Sequence, residues 1–279
     1  MSEVGLYAIR LGLLTAVAGI LAGIWAGVRG RADWTQVAER SVYLVFGFLG
    51  LAMFALFWAL AHNDFSLAYV AQHSARSMEL HYRLGALWGG QAGSLLLWVF
   101  LLMAFGSAGV FANRRHHRRL IPWVAVMLLL NASFFLGLLE FLTNPFERLP
   151  HGEVLSDGQG LNPLLQHPVM MIHPIMLYLG FTGFATPFAF AFAALVTGEL
   201  GTSWFRTTRR WSLIAWLALG CGIVLGGRWA YEVLGWGGYW AWDPVENASL
   251  MPWLAATAYL HSVMIQEKRN MLKTWNVVL

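Results

Sequence analysis

The sequence predicts an all-α protein that crosses a membrane several times, and three observations carry this prediction. Hydrophobic residues make up 58% of the 279 residues and charged residues only 11%, whereas the charged share of a soluble domain is roughly 25%. Seven apolar segments are each long enough to cross a bilayer core, which takes about 20 helical residues. Backbone in lipid must satisfy its hydrogen bonds within its own segment, so each segment is predicted to be a helix.

The predicted helices follow these segments along the chain. They cover residues of about 5–28, 41–62, 92–112, 120–142, 170–197, 211–230 and 246–266. The first is not a cleavable signal peptide, because it exceeds 20 residues and lacks a basic start. The last six residues are again mostly apolar, but six helical residues reach only about 9 Å. They are predicted to begin an eighth helix of a larger architecture, completed by a second polypeptide or cut off in a fragment.

Basic residues predict which way the helices run. Thirteen lie in the loops at 29–40, 112–119, 198–210 and 267–274, and five lie on the opposite side. The positive-inside rule assigns the richer side to the cytoplasm. The N-terminus and the long loops at 63–91 and 143–169 are therefore expected outside. The net charge of +4 indicates no nucleic-acid partner.

The sequence offers little conventional catalytic chemistry. Its one cysteine, Cys221, lies inside a predicted span, so no internal disulfide and no CxxC pair can form. It is interpreted as a small packing residue. Phosphate-binding glycine loops, serine nucleophile elbows and HExxH zinc motifs are absent from the sequence. No catalytic residue is predicted.

An aromatic stretch, WGGYWAWDPVENASL at residues 236–250, separates the sixth and seventh spans. Its glycines, with Gly235 before them, make a continuous helix unfavourable and predict a loop. In extended backbone, side chains alternate, so one face would carry Trp236, Gly238, Trp240 and Trp242. Such a face predicts an aromatic shelf, with a gap at Gly238 where a flat ligand could approach. The alternative is an interfacial tryptophan belt, which needs neither the glycines nor so tight a cluster.

The start of the seventh span has a structural interpretation of its own. Asp243 at the N-cap, Pro244 at the first helical position and Glu246 at the third form a helix-capping pattern. Such a cap would hold the aromatic loop at a fixed angle to the helix.

Nine histidines sort by predicted depth. His116 and His117 lie in a basic run, and His62, His73, His81 and His151 lie in outer loops or at a span end, where surface positions are the common case. His167 and His173 flank the entry to the fifth span, on the side of the aromatic stretch. His261 lies about 22 Å along the seventh helix from Glu246, inside the membrane. An ionisable residue at that depth is a candidate functional site, here either a buried helix–helix hydrogen bond or a cofactor ligand.

Four blocks of the chain resemble a known family. The stretch WGGYWAWDPVENASLMPWL is similar to the WWD motif of haem-handling membrane proteins, which include the CcmC, CcsA and CcmF types. The blocks at 87–102, 144–149, 158–195 and 209–254 resemble the N-terminal half of the CcmF type, and the resemblance covers essentially the whole chain. It implies one membrane-embedded haem-handling domain over residues 1–279. Its WWD loop would span about 229–246, and a C-terminal half would be needed to complete it.

The resemblance also implies a function, namely haem binding and presentation for covalent attachment to apocytochrome c by a haem lyase. His173 matches an axial ligand of the incoming haem, and His261 matches a ligand of a b-type haem in the membrane. The second histidine of each pair belongs to the C-terminal half, which this chain lacks. The haem platform would be formed by Trp236, Gly238, Trp240, Trp242 and Asp243. Arg228 would pair with a haem propionate or serve as an interfacial anchor.

The implied partners are a haem chaperone, an apocytochrome with a CxxCH motif, thiol-handling maturation subunits and the lipid bilayer. The implied location is a bacterial or mitochondrial inner membrane, with the WWD loop outside. One alternative is a haem transporter or presenter of the CcmC or CcsA type without a lyase role. A second alternative is an assembly scaffold that binds no cofactor. Since no acid–base centre is evident, the chain is expected to contribute positioning, and whether it is itself an enzyme stays open.

Overall fold

The computed structural model describes residues 1–150, 154–199, 203–269 and 271–278, and these ranges contain helices and connections but no β-strand. The helices are α1 (Ser2–Arg29), α2 (Ala32–Ala61), α3 (Ala68–His73), α4 (Leu80–Gly85), α5 (Gln91–Asn113), α6 (Ile121–Phe141), α7 (His173–Gly183), α8 (Ala185–Thr197), α9 (Ser203–Val233), α10 (Pro244–Arg269) and α11 (Lys273–Val278). Short 3-10 turns cover Ala86–Trp88, Pro163–Leu165 and Pro168–Met171. The predicted all-α fold is confirmed.

Seven elements of the described chain are long and apolar enough to cross a membrane, as predicted. The fifth, Pro168–Thr197, is composite, because a 3-10 turn precedes α7 and a break at Phe184 separates α7 from α8. α2 starts at residue 32 rather than 41, and α9 at residue 203 rather than 211. Polar residues continue both helices beyond their apolar part, which a boundary drawn on hydropathy misses. The chain is an integral membrane protein.

Successive long helices run in opposite directions, which gives the bundle two distinct ends. The loop end carries the connections at 62–90, 142–172 and 234–243, and the arginine end carries those at 30–31 and 114–120. Contacts between distant segments confirm this grouping. The Trp229 indole donates to the Leu164 carbonyl at 3.2 Å, and the Arg148 guanidinium pairs with Glu3 at 2.9 Å. Which compartment each end faces stays a prediction.

Small residues bring α1 into close contact with α2 and α6. The buried positions of α1 include Gly5, Ala8, Gly12, Ala16, Gly19 and Gly23. A Cβ at Gly19 would lie 2.5 Å from the Ser41 Cβ, so the backbones approach more closely than larger side chains would permit. The opposite face of α1 presents Leu14 and Leu21, which are 66% and 64% exposed, and suits contact with lipid.

Small residues also bring α7 and α9 into close contact, and this contact positions the functional site. A Cβ at Gly180 of α7 would lie 2.4 Å from the Leu219 side chain, and a Cβ at Gly222 of α9 would lie 2.7 Å from the Leu177 side chain. The backbones of the two helices therefore pack closely against each other. This packing holds His173, the first residue of α7, against α9.

The segment predicted to begin an eighth helix forms the short helix α11. Its Asn276 side chain is buried and donates a hydrogen bond to Gln266 of α10. The described part of this segment therefore packs back on α10.

Candidate functional site at the tryptophan loop

The connection between α9 and α10, residues 234–243, is the tryptophan loop. It is shorter than the predicted span of 229–246, because α9 continues to Val233 and α10 begins at Pro244. Gly235 and Gly237 have φ of 70° and 75°, where glycine carries no steric penalty. Trp242 also has a positive φ, 58°, which is uncommon for a residue of its size. These turns break the extended alternation on which the shelf prediction depends.

The tryptophan rings accordingly lie in different planes. The rings of Trp240 and Trp242 are 5.9 Å apart at 85°. The Trp236 ring folds over Gly238, since a Cβ at Gly238 would lie 2.2 Å from it. The prediction of one flat shelf with a gap at Gly238 is therefore wrong. Positive φ values rotate the rings out of one plane, and Trp236 fills the gap. Trp236 and Trp242 remain 45% and 69% exposed, so the loop presents a stepped aromatic surface.

Hydrogen bonds at the start of α10 hold the end of the loop. The Asp243 carboxylate accepts the Glu246 backbone N–H at 2.7 Å, and the Glu246 carboxylate accepts the Ala241 N–H at 2.7 Å. The Asn247 amide donates to the Trp242 carbonyl at 3.0 Å. The predicted capping pattern is thus present. Asp243 positions the loop through the helix start.

Two adjacent glycines of α9 bring the loop and His173 together. The Tyr239 ring stacks on Tyr231 of α9, with centroids 4.5 Å apart and planes at 9°. This folds the loop back so that a Cβ at Gly227 would lie 3.1 Å from the Tyr239 carbonyl oxygen. A Cβ at Gly226 would lie 2.5 Å from the His173 ring. His173 and the tryptophan loop therefore contact consecutive residues of one helix.

His173 has one ring nitrogen committed and one free. Its Nδ1 lies 2.8 Å from the carbonyl oxygen of Gly222, on the neighbouring helix. A carbonyl only accepts, so Nδ1 carries the proton and Nε2 holds the lone pair. Nε2 has no hydrogen-bond partner in the described part of the chain. A second-shell carbonyl that fixes the tautomer is the usual support of a metal-binding histidine.

His167 contrasts with His173, because both of its nitrogens are used. Its Nδ1 accepts the Val169 N–H at 3.3 Å, and its Nε2 lies 3.2 Å from the Glu232 carboxylate. His167 therefore caps the 3-10 turn before α7 and is not a free ligand. Arg228 contacts the same carboxylate of Glu232 at 2.8 Å. This is a surface i,i+4 pair worth about 0.3–0.5 kcal/mol, and it leaves the guanidinium accessible.

His261 lies on an exposed face of α10. Its Nδ1 is 3.0 Å from the Thr257 carbonyl of the same helix, a contact that His62 and His73 also make one turn back. The predicted alternative of a buried helix–helix hydrogen bond is therefore wrong for His261. Around it, the large apolar side chains that α10 exposes include Met251, Leu254, Met264 and Ile265. His261 stands in the middle of an apolar stripe with Nε2 free within the described residues.

The remaining cysteine and histidine candidates form no separate site in the described residues. Cys221 is a free, partly buried cysteine in α9, and His81 pairs with Glu79 at 3.3 Å. His151 lies outside the described residues. Over those residues, no group of three or more histidine, cysteine, aspartate or glutamate side chains converges. Each candidate histidine would therefore offer a metal one ligand atom, with no cluster of further ligands around it in the described residues.

Comparison with known proteins decides the family. A family described as "Cytochrome C assembly protein" matches residues 88–279. The chain belongs to this cytochrome c assembly family. It is 42% identical to the CcmF protein of Haemophilus influenzae over 100% of this chain, and 45% identical to that of Pseudomonas aeruginosa over 93%. A solved "Cytochrome c Heme Lyase CcmF" matches 99% of this chain with a TM-score of 0.84 and 37% identity. The resemblance to the CcmF type is confirmed.

The assembly-family chain spans less than half the length of these relatives. It covers 43% of the Haemophilus protein, 39% of the Pseudomonas protein and 44% of the solved chain. The relatives are therefore longer proteins, of which this sequence corresponds to a part.

The structure adds residues that sequence reasoning missed. The Trp88 indole donates to the Met170 carbonyl at 2.9 Å, three residues before His173. The buried Tyr69 hydroxyl donates to the Leu87 carbonyl at 2.8 Å and accepts the Gly90 N–H at 3.1 Å. Burial raises the pKa of Tyr69, so the hydroxyl keeps its proton. The only sequence signal was the glycine density at 85–93, which serves close packing.

A lateral cavity of about 580 Å³ lies elsewhere in the bundle. Its lining includes Trp98, Phe135, Asn131 and Tyr259. His261 is two residues from Tyr259, so the two side chains lie on different faces of α10. The cavity therefore does not contain the predicted membrane-haem ligand.

Proposed function

We propose that the chain binds haem at the loop end and presents it for covalent attachment to apocytochrome c, as part of a haem lyase. One observation carries this proposal. The His173 imidazole offers a free Nε2, fixed by a carbonyl of the next helix, beside an exposed aromatic loop. The haem lyase relative, with a TM-score of 0.84 over 99% of the chain, supports the same function.

The residues present fit a haem whose iron would take one histidine ligand from this chain. Nε2 of His173 would ligate the haem iron, because neutral imidazole is a common haem ligand. Trp236, Trp240 and Trp242 would cover apolar porphyrin surface, at about 25 cal/mol per Å² removed from water. Because Gly238 has no side chain, the Trp236 ring would stay packed against the loop. Arg228 would give up its ion pair with Glu232 and pair instead with a haem propionate, which carries a similar charge.

A second, b-type haem would be held at His261. The free Nε2 faces out of the exposed stripe of α10, where a histidine from another segment could complete the pair. We propose that a C-terminal half, in the same or another polypeptide, covers this stripe and supplies the second ligand at both sites. Residues 1–279 would then act as one haem-handling domain.

Attachment needs positioning more than acid–base catalysis. Bound haem would supply two vinyl groups. Addition of one cysteine thiol of the CxxCH motif to each would break the S–H bond and the C=C π bond and form one C–S and one C–H bond. The chain's residues would fix the macrocycle edge toward the client. We propose that the loop end faces the periplasm or its equivalent, across an inner membrane. There it would meet a haem chaperone, the apocytochrome and thiol-handling subunits.

The test is an absorption spectrum of the purified chain, alone and with a candidate C-terminal partner. His173→Ala should abolish haem retention at the loop end, whereas His62→Ala, which removes an exposed histidine of the same end, should leave it unchanged. His261→Ala should remove a separate low-spin b-type spectrum in the completed complex. A retained loop-end spectrum in His173→Ala would refute the first site. A retained membrane-haem spectrum in His261→Ala would favour a presenter without a lyase role.

A further inference from the structure

A cleft of about 1020 Å³ opens at the arginine end, far from the tryptophan loop. It lies between the end of α1, the start of α2, the segment before α6 and the end of α8. Six arginines line it, namely Arg29, Arg40, Arg114, Arg115, Arg118 and Arg119, together with the single carboxylate Glu39. The lateral cavity, by contrast, is lined by no charged side chain among the described residues.

The cleft is shaped by two glycines of the α1–α2 turn. A Cβ at Gly27 would lie 2.5 Å from the Trp123 ring, so the indole packs closely against α1 and forms part of the cleft wall. Gly30 has φ of 64° and ends α1, which lets the chain enter α2 after one further residue. The backbone is therefore built to leave an open space between these helices.

Few of the arginines are neutralised by the chain itself. Glu39 accepts from Arg114 at 3.4 Å and from the Tyr43 hydroxyl at 3.0 Å, and Arg119 reaches Glu199 at 3.5 Å. In the part of the chain that the structure describes, Arg40, Arg115 and Arg118 have no ion pair or hydrogen bond through their side chains. Like charges that share a cleft repel, and an anion between them would remove this cost.

The surroundings distinguish a lipid from a soluble anion. Val28, which lines the cleft, is 67% exposed, and Ile24 and Trp25 one turn back along α1 are exposed as well. The charged cleft is thus continuous with an apolar face of a membrane-spanning helix. A phosphodiester in the cleft would place its acyl chains along that face.

We propose that this cleft binds the headgroup of an anionic phospholipid. The guanidinium groups match a phosphodiester geometrically, since arginine offers paired N–H donors to two oxygens. Basic pockets between membrane helices are a recognised form of lipid-headgroup site. The bound lipid would bridge α1, α2 and the start of α6 at the arginine end, and its binding would not depend on haem.

The experiment is native mass spectrometry of the purified chain after exchange into lipid-free detergent. Phosphatidylglycerol, phosphatidylethanolamine with the same acyl chains, and inorganic phosphate are added back separately. The proposal expects retention of phosphatidylglycerol over the other two. Arg115→Gln/Arg118→Gln should weaken its binding about thirtyfold. The matched control Arg210→Gln/Arg269→Gln removes two arginines outside the cleft lining and should leave binding within about twofold.

Three results would overturn the proposal. The first is equal retention of phosphatidylethanolamine, and the second is an equal loss in both double variants. The third is binding of inorganic phosphate as tight as that of phosphatidylglycerol, which would mark a soluble-anion site. All four positions are exposed, and helical circular dichroism of each variant confirms that the fold is kept.

Discussion

The loop end contains two kinds of connection. The segments at 62–90 and 142–172 are fastened to each other through backbone hydrogen bonds, such as Ala68 N–H to Glu147 O at 2.9 Å and Gln159 N–H to Ala71 O at 2.8 Å. Phe65 and Leu87 within them are almost fully buried. The tryptophan loop, by contrast, keeps Trp236, Tyr239 and Trp242 exposed. The first kind of connection is part of the core, and the second is a surface presented to something else.

The electrostatics of the packed segments agree with this difference. The Arg76 and Gly158 backbone N–H groups hold the pKa of Asp157 below its usual value, and the bond from Arg76, 2.9 Å long, joins the two segments. The same contrast extends into the membrane. In α5, 50% of the most apolar stretch is buried, whereas in α9 and α10 only 28% is. The helices on either side of the tryptophan loop thus share its exposure.

The largest expected effect of a substitution lies in the packed region. A Cβ at Gly93 would lie 1.9 Å from the Leu87 carbonyl oxygen, whereas a Cβ at Gly137 would meet nothing within 4 Å. Gly93→Ala should therefore destabilise the fold by about 1–3 kcal/mol. Gly137→Ala should be neutral or stabilising by up to about 1 kcal/mol. Thermal unfolding in detergent measures both, and equal midpoints would contradict the packing described here.

A pair of tyrosines compares the two regions directly. Tyr69→Phe removes a buried hydroxyl that contacts Leu87 and Gly90, and should cost about 1–3 kcal/mol because buried groups lose their partner. Tyr239→Phe alters a side chain that is 61% exposed and should leave stability unchanged within about 0.5 kcal/mol. The same unfolding measurement applies. A larger loss in Tyr239→Phe would reverse the comparison.

The cap at Asp243 is the part of the tryptophan loop where stability should respond. Asp243→Ala leaves the Glu246 N–H without its acceptor and should cost about 1 kcal/mol. Asp243→Asn keeps an acceptor oxygen and should lose only part of that. If both variants unfold like the native chain, the cap does not hold the start of α10.

The smallest stability effect is expected at Trp242. Its ring is 69% exposed, so Trp242→Ala should change the free energy of unfolding by less than about 0.5 kcal/mol. Haem retention at the loop end should nevertheless fall, because a covering ring is lost. Unfolding and haem titration on one preparation separate the two effects. A destabilised variant with unchanged haem retention would assign Trp242 to the core.

Sequence reasoning reached the seven spans and the α10 cap, because hydropathy and capping are local properties. It failed on the aromatic shelf, since the positive φ of Trp242 is not encoded in residue type. It also could not foresee that Glu232 joins Arg228 to His167, or that Trp88 fastens the chain before His173. The His167–Glu232 and Trp88–Met170 contacts join residues 65 and 82 positions apart in the chain, so their partners emerge only from the tertiary packing.

The proposed haem ligand at the loop end is Nε2 of His173. His173→Gly removes the imidazole that lies against Gly226 while leaving the Gly222 carbonyl in place. Haem titration of this variant, followed by absorption with and without free imidazole, tests the claim most directly. We expect loss of the loop-end spectrum and its return on addition of imidazole. A spectrum unchanged by the substitution, without imidazole, would contradict it.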